Sequence, residues 1–387
     1  MTSVPANLPL LEKASRLRAF ARALADIVVL HQNPDDVVPV VAFAAEGGPP
    51  VVIMNHADHV FWLGTSVADV VANIREFGKR LCEERRFARH SMLLPIPLSA
   101  FSPNASRSET RKGLGIGETE VMMLSVGSLY KYTPTKTHHF FKTLRKILKR
   151  NKLAHLYLVG VSDNQELQHV KEYSHERLHL VGTVDDPTPY YRAADIYIEG
   201  FPYGSMTALL EASMAEVCPV LMYAPIPQAD MSEDVGLRGI VEGAESEDEY
   251  VAQVSALIQD EHRRKRLGEE VSASVVSSHR GEIWKECLLR VYRQLESKAH
   301  ESSRIPDSVR AELADDLGLS AFAMIRQSGS LLQSLVNQNF NRLSVGDIVW
   351  LFLLARNLRD GEFSYKENSI WLGLLKAKTL RETGAAY

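Results

Sequence analysis

The sequence is short of the features that mark several large classes of protein. Its three cysteines, Cys82, Cys218 and Cys287, stand far apart without CxxC or metal-type spacing. No disulfide framework or cysteine-based metal site is therefore expected, and the reducing cytoplasm is the expected location. Basic residues do not exceed acidic ones: the formal net charge is -4, which gives a nucleic-acid partner little electrostatic support. The longest apolar run, Ile348–Ala355 (IVWLFLLA), is far below the roughly twenty residues a membrane helix needs. The amino terminus lacks an apolar core behind a basic start. Neither a transmembrane segment nor a signal peptide is read. The signature of disorder is missing too, since hydrophobic residues make up 45% of the chain and charged residues 24%.

What the sequence has is size and alternation. At 387 residues it exceeds what one hydrophobic core usually organises, so two domains with or without an appendage are expected. Helical spacing over 10–24 leads to an apolar strand at 27–31, and Asn33-Pro34-Asp35-Asp36 opens a further helix. The turn Gly47-Gly48-Pro49-Pro50 leads into strand VVIM at 51–54; strands at 69–72 and 91–94 flank a charged helix at 74–89. Residues 99–118, rich in Ser, Gly and charge, read as an interdomain linker. Beyond it, strands at 121–127, 155–160, 178–182, 196–200 and 219–224 alternate with helices at 136–150, 163–173, 187–194 and 209–215. Residues 247–297 read mainly as helix, and 304–382 as a separate all-helical appendage.

This alternation predicts an α/β fold with parallel sheets covered on both faces, and ligands then sit beyond the carboxyl ends of the strands. The expected domains are an amino-terminal Rossmann-like one over 1–104, a second over 105–299 and the helical appendage over 300–387. Gly113-Leu114-Gly115-Ile116-Gly117 is not read as a dinucleotide fingerprint, because it precedes a strand where that motif must follow one.

Two strand-end segments carry the candidate ligand chemistry. After the strand at 121–127, Gly127 lets a phosphate approach the backbone closely. Lys131 stands where an ammonium can neutralise a leaving diphosphate, the plain alternative being a solvated surface lysine. The stretch Glu199–Ala212 (EGFPYGSMTALLEA) runs from a strand end through a Gly/Pro turn into a helix. Unpaired amides around Gly204, Ser205, Met206 and Thr207 suit a pyrophosphate, and a carboxylate at Glu211 can accept from ribose hydroxyls.

These segments, with LVG, RLHLVGTVDD, YYRAADIYIEG and CPV between and after them, resemble the donor domain of GT-B glycosyltransferases of the group 1, or family 4, type. The resemblance covers roughly residues 105–297. It implies two Rossmann-like domains facing a cleft, a nucleoside-diphosphate-sugar donor and transfer of its sugar to an acceptor hydroxyl. It further implies that Lys131 contacts the diphosphate, that Ser205, Met206 and Thr207 cradle it, that Glu211 holds the ribose, and that no catalytic metal or separate cofactor is needed. The acceptor would be a glycan, a lipid-linked molecule or a protein, with cell-surface polysaccharide or glycoconjugate synthesis as the family-level role. Ser128 stands where the family commonly has Arg, Tyr203 stands where the first glutamate of its Glu-x7-Glu pattern would be, and Glu211 to Pro219 is one residue longer than usual. The amino-terminal domain is shortened against the family pattern. A nucleotide-sugar epimerase and a noncatalytic nucleotide-binding scaffold are the rival functions.

In the first domain, Asn55-His56-Ala57-Asp58-His59 follows a strand. His56 is the preferred base for an acceptor hydroxyl, His59 the second candidate and Asp58 a third. The alternative is that the histidines satisfy buried backbone groups. Zinc is disfavoured because no third ligand accompanies the pair.

Overall fold

Two parallel β-sheet systems, each fed by strands of three to six residues, organise the protein in a computed structural model. The structure describes residues 4–5, 7–58, 60–100, 106–162, 177–223, 233–296 and 298–301. His59, the expected helix at 163–173 and the expected appendage beyond residue 301 lie outside the described residues.

The first half contains helix α1 (Leu10–Leu24), strand β1 (Val28–Leu30), helix α2 (Val37–Ala42), β2 (Val51–Asn55), β3 (Val70–Asn73), α3 (Glu76–Glu84) and β4 (Ser91–Leu93). Asp36 caps α2, its side chain accepting from the Val38 amide at 2.9 Å. The strands form one sheet in the order β1-β2-β3-β4, with β1 and β2 parallel and Leu30 opposite Ile53.

The second half contains α4 (Arg107–Gly113), β5 (Val121–Val126), a 3-10 turn (Leu129–Tyr132), α5 (Phe140–Arg150), β6 (Ala154–Val159), β7 (Leu178–Gly182), α6 (Thr188–Ala193) and β8 (Ile196–Ile198). It continues with α7 (Met206–Met214), β9 (Cys218–Val220), α8 (Glu247–Gln259), α9 (Glu261–His279) and α10 (Gly281–Leu295). The five strands lie in the order β7-β6-β5-β8-β9, all pairs parallel. Alternate residues of β5 enter different cores: Val121 and Met123 pack with Phe140, Leu144 and Tyr250, while Met122 and Leu124 pack with Leu209, Leu210 and Val271. Both faces are therefore covered, as a parallel sheet requires. Chain order reverses at β5, which places a topological switch point at the carboxyl ends of β5 and β8.

Contacts divide the chain into two compact units: Met1–Val71 with Glu84–His90 and the residues from Ser297, and Ala72–Glu83 with Ser91–Glu296. Each unit has a buried imidazole held at both ring nitrogens. In the first, His300 Nδ1 is 2.7 Å from Asp69 Oδ2 and Nε2 is 2.7 Å from the Phe43 carbonyl oxygen. In the second, His279 Nε2 is 2.9 Å from Asp234 Oδ1 and Nδ1 is 2.8 Å from the Ile96 carbonyl oxygen. Both nitrogens face acceptors, an arrangement that favours an imidazolium donating two hydrogen bonds. The Asp69 hydrogen bond raises the pKa of His300 against the cost of burial. For His279, burial is the largest influence and lowers the pKa, but the hydrogen bond and charge of Asp234 with the Ile96 carbonyl outweigh it and raise the value.

Two local expectations are corrected and a third is resolved in detail. The stretch read as linker is helical over Arg107–Gly113, started by a reciprocal capping box between Ser106 and Glu109. Arg111 of that helix is buried and binds the Ala193, Gly117 and Glu120 carbonyls and Asp195. The stretch 247–297 is mainly helical as expected, in three helices that meet where Asp260 caps α9 and where Gly281 takes a left-handed φ of 66°. The helix expected from 136 begins at Phe140, because the Thr135 hydroxyl accepts from the Thr137 and His138 amides in a preceding turn.

Candidate functional site

The carboxyl ends of β5 and β8 bring the sequence-predicted donor residues together within the second unit. Gly127 follows β5 at the point of closest approach: a Cβ there would lie 2.8 Å from Ser205 Oγ, 3.1 Å from Lys131 Cδ and 3.2 Å from Tyr132 Oη. The absence of a side chain is what lets these three groups converge. The neighbouring strand makes the same demand, since a Cβ on Gly160, at φ 90°, would come 2.7 Å from the Gly127 carbonyl oxygen.

Lys131 sits in the 3-10 turn and reaches across to the β8–α7 loop. Its Nζ donates to the Gly204 carbonyl at 2.8 Å, and its own carbonyl accepts from the Tyr203 amide at 3.2 Å. The two loops are thereby pinned to each other. Burial lowers the pKa of Lys131, opposed by the negative charge of Glu199. Beneath the loops, Tyr132 stacks on Phe140 at 4.7 Å and bonds Ser125 at 3.0 Å, while Phe140 and Tyr250 each meet Phe201 edge-on. This aromatic floor fixes the backbone that presents Gly127, Lys131 and Gly204.

Helix α7 begins at Met206 with Ser205 as its N-cap residue, and the Ser205 hydroxyl makes no capping bond to the helix. Met206 is buried and Thr207 exposed. Glu211 lies further along α7, half-buried, and its Oε2 accepts from Tyr191 Oη at 3.0 Å. Burial raises its pKa, the Tyr191 hydrogen bond opposes the rise, and the charge of Asp186 adds to it.

Sequence reasoning gave no role to Glu199, the first residue beyond β8. Its carboxylate is buried, Oε1 accepts from the Ser205 amide, and Tyr250 Oη donates to its carbonyl at 2.9 Å. One of the helix-start amides expected to face a ligand is thus engaged by an internal acid. Burial pushes the Glu199 carboxyl up to about 7, against the lowering effects of the Ser205 amide and the Lys131 charge. The available signal was an acid ending the apolar run IYI at a strand terminus.

His56 and Asp58 belong to the first unit. His56 follows β2, with Nδ1 3.3 Å from the Met54 carbonyl oxygen. His31, which follows β1 and was not singled out from the sequence, meets it edge-on at 4.4 Å between ring centroids. His56 is exposed at its surface yet partly desolvated, and that desolvation lowers its pKa; the Met54 carbonyl opposes, the His31 charge adds, and Asp58 opposes weakly. A neutral imidazole is a proton acceptor, as a general base must be. Asp58 is fully buried, which favours a supporting role over direct contact with a ligand. Among the described residues, no group of three or more His, Cys, Asp or Glu is arranged to hold a metal ion.

The fold is that of GT-B glycosyltransferases, with parallel sheets flanked by helices. Within it, residues 120–260 match the family model described as Glycosyl transferases group 1, a segment that includes Gly127, Lys131, Gly204, Ser205, Met206, Thr207 and Glu211. Solved structures with the same fold include sucrose-phosphate synthase from Thermosynechococcus elongatus, 17% identical, covering 76% of this chain and 80% of that one at a TM-score of 0.57. A glycosyltransferase from Rickettsia africae is 13% identical over 77% of this chain and 85% of that one, TM-score 0.56. HepE from Anabaena, solved in complex with UDP and glucose, is 15% identical over 74% and 81%, TM-score 0.53. No curated protein matches the sequence. No helix among the described residues is long and apolar enough to cross a membrane.

Proposed function

We propose that the protein is a nucleotide-sugar-dependent glycosyltransferase that moves a sugar, a hexose in the first instance, from a nucleoside-diphosphate sugar to an acceptor hydroxyl. The observation that carries this reading is the convergence of Gly127, Lys131, Gly204 and the start of α7 at the switch point between β5 and β8. The bond between the anomeric carbon and the diphosphate oxygen breaks, and negative charge develops on the leaving diphosphate. The Lys131 ammonium and the amides of Met206 and Thr207, backed by the helix dipole, stabilise that charge, which is the largest contribution such a site makes. The charge is met by protein groups in this reading, without a catalytic metal or a separate cofactor. Glu211, held by Tyr191, accepts from the ribose hydroxyls.

His56 takes the proton of the acceptor hydroxyl, tuned by its desolvation and by His31. The acceptor is a glycan, a lipid-linked molecule or a protein, the role lies in cell-surface polysaccharide or glycoconjugate synthesis, and the compartment is the cytoplasm. Release of nucleoside diphosphate from UDP, GDP and ADP sugars, with and without added acceptors, tests the reading. Acceptor-stimulated release supports transfer. Conversion of the sugar nucleotide without an acceptor indicates an epimerase, and tight binding with neither reaction indicates a scaffold.

A further inference from the structure

The charge balance of the donor site contains an acid that sugar transfer itself does not use. Glu199 is 3% exposed and lies under the loops that hold Lys131 and Ser205. Its Oε1 is bound to the Ser205 amide, Oε2 is sealed from solvent, and the Gly200 amide and Tyr197 hydroxyl lie close enough to favour the ionised carboxylate. The groups that act on it come from every neighbouring element: the Lys131 ammonium and Tyr132 phenol from the 3-10 turn, Tyr197 from β8, Tyr191 from α6 and Tyr250 from α8. Lys131 supplies the cation, and the phenols remain neutral because burial raises their pKa values.

We propose that Glu199 is a proton-linked positioning residue: in the free protein its carboxylate holds the Ser205 amide and faces Lys131, and it takes up one proton from solvent when a nucleoside diphosphate enters the cradle. The inference rests on reading the β5 and β8 ends as a nucleotide-sugar site. An incoming diphosphate competes for the cation and amide that stabilise Glu199 and adds negative charge beside its buried carboxyl. Both changes favour the neutral acid. The carboxyl already titrates at about 7 in the free protein, so a modest further push changes its charge at working pH. Protonation removes the internal anion that would otherwise repel the ligand, so donor affinity is coupled to pH through a residue that does not touch the sugar.

The test is calorimetric titration with UDP-glucose, GDP-mannose and ADP-glucose in buffers of differing ionisation enthalpy. These diesters lack the secondary phosphate ionisation that would itself bind or release protons near neutrality. For the sugar nucleotide that binds, wild type takes up roughly one proton at about pH 8, and its Kd rises roughly tenfold per pH unit above about pH 7. Glu199→Gln, which keeps the shape and the neutral state, binds without proton uptake and with a Kd independent of pH over that range. Wild-type binding without uptake overturns the proposal and leaves the donor site standing, and needs no variant to fold. Uptake that survives in Glu199→Gln and disappears in Lys131→Met also overturns it, by assigning the proton to the lysine. If none of the three sugar nucleotides binds, the donor-site reading itself fails and takes the proposal with it.

Discussion

The loop after β2 and the loops after β5 and β8 occupy the same place in their sheets, the carboxyl ends of parallel strands, yet they are built differently. The second set is tied down from below: an aromatic floor, a buried acid, a lysine pinned to a backbone carbonyl and two glycines at points of close approach. The first is open. His56 is exposed, bonded to one nearby carbonyl and tuned by a neighbouring histidine. A site that meets the fixed charge of a diphosphate gains from groups already oriented before binding, since reorganisation at the moment of reaction then costs little. A base that moves a proton needs only reach and the right pKa. On the proposed function, charge stabilisation falls to the β5 and β8 ends and proton transfer to the end of β2.

The sharpest way to break that assignment is to remove each function separately. His56→Ala is expected to lower kcat by about 10² to 10⁴ with the donor Kd unchanged; steady-state kinetics beside a binding titration checks this, and a weakened donor Kd would contradict it. The lowered pKa of His56 keeps it neutral into mildly acidic solution, so activity should fall only below its depressed value. The acid limb of the pH profile should move upward in His31→Asn, because that change removes a charge that lowers the His56 pKa.

Lys131→Met is expected to cost about 10² to 10³ in rate and to weaken donor binding as well. A loss confined to the acceptor KM would place the lysine outside the donor site.

A smaller effect separates the proposed base His56 from the two buried, doubly bonded histidines. His279 and His300 have pKa values raised above those of the unfolded chain, so their stabilisation is fully present below the unfolded value of about 6.5 and is lost as pH rises through the folded values. This contribution to thermal stability should decline from neutral to alkaline pH, and His279→Gln should show less of the decline, as calorimetric melts would register. His56→Ala should leave the alkaline decline in place, since the pKa of His56 is shifted in the opposite direction and its own pH dependence lies around and below the unfolded value of about 6.5.

The five-stranded sheet was legible because each strand is a short apolar run and each described helix carries its own periodicity, so local pattern and packing agree. Helix α4 was missed where composition and capping chemistry disagreed: Ser, Gly and charge in 99–118 read as linker, yet Ser106 and Glu109 formed a capping box. The breaks at Asp260 and Gly281 were hidden because helical periodicity continues on both sides of each. That Gly127, Lys131 and Gly204 lie at strand ends and Glu211 on the helix that follows was readable from the apolar runs and the Gly/Pro turn between them. Glu199 and His31 were not, because each acquires its role from partners distant in sequence: Lys131 and Tyr250 for the acid, His56 for the imidazole.

The claim that the β5 and β8 ends form a nucleoside-diphosphate site is tested most directly by a thermal-shift panel of UDP, GDP, ADP and CMP on wild type and Glu211→Ala. At a ligand concentration 100 times Kd, binding stabilises the native state by about 2.7 kcal/mol. The account predicts an upward shift with one nucleoside diphosphate that is lost in the variant. An unchanged melting temperature with every nucleotide would contradict it.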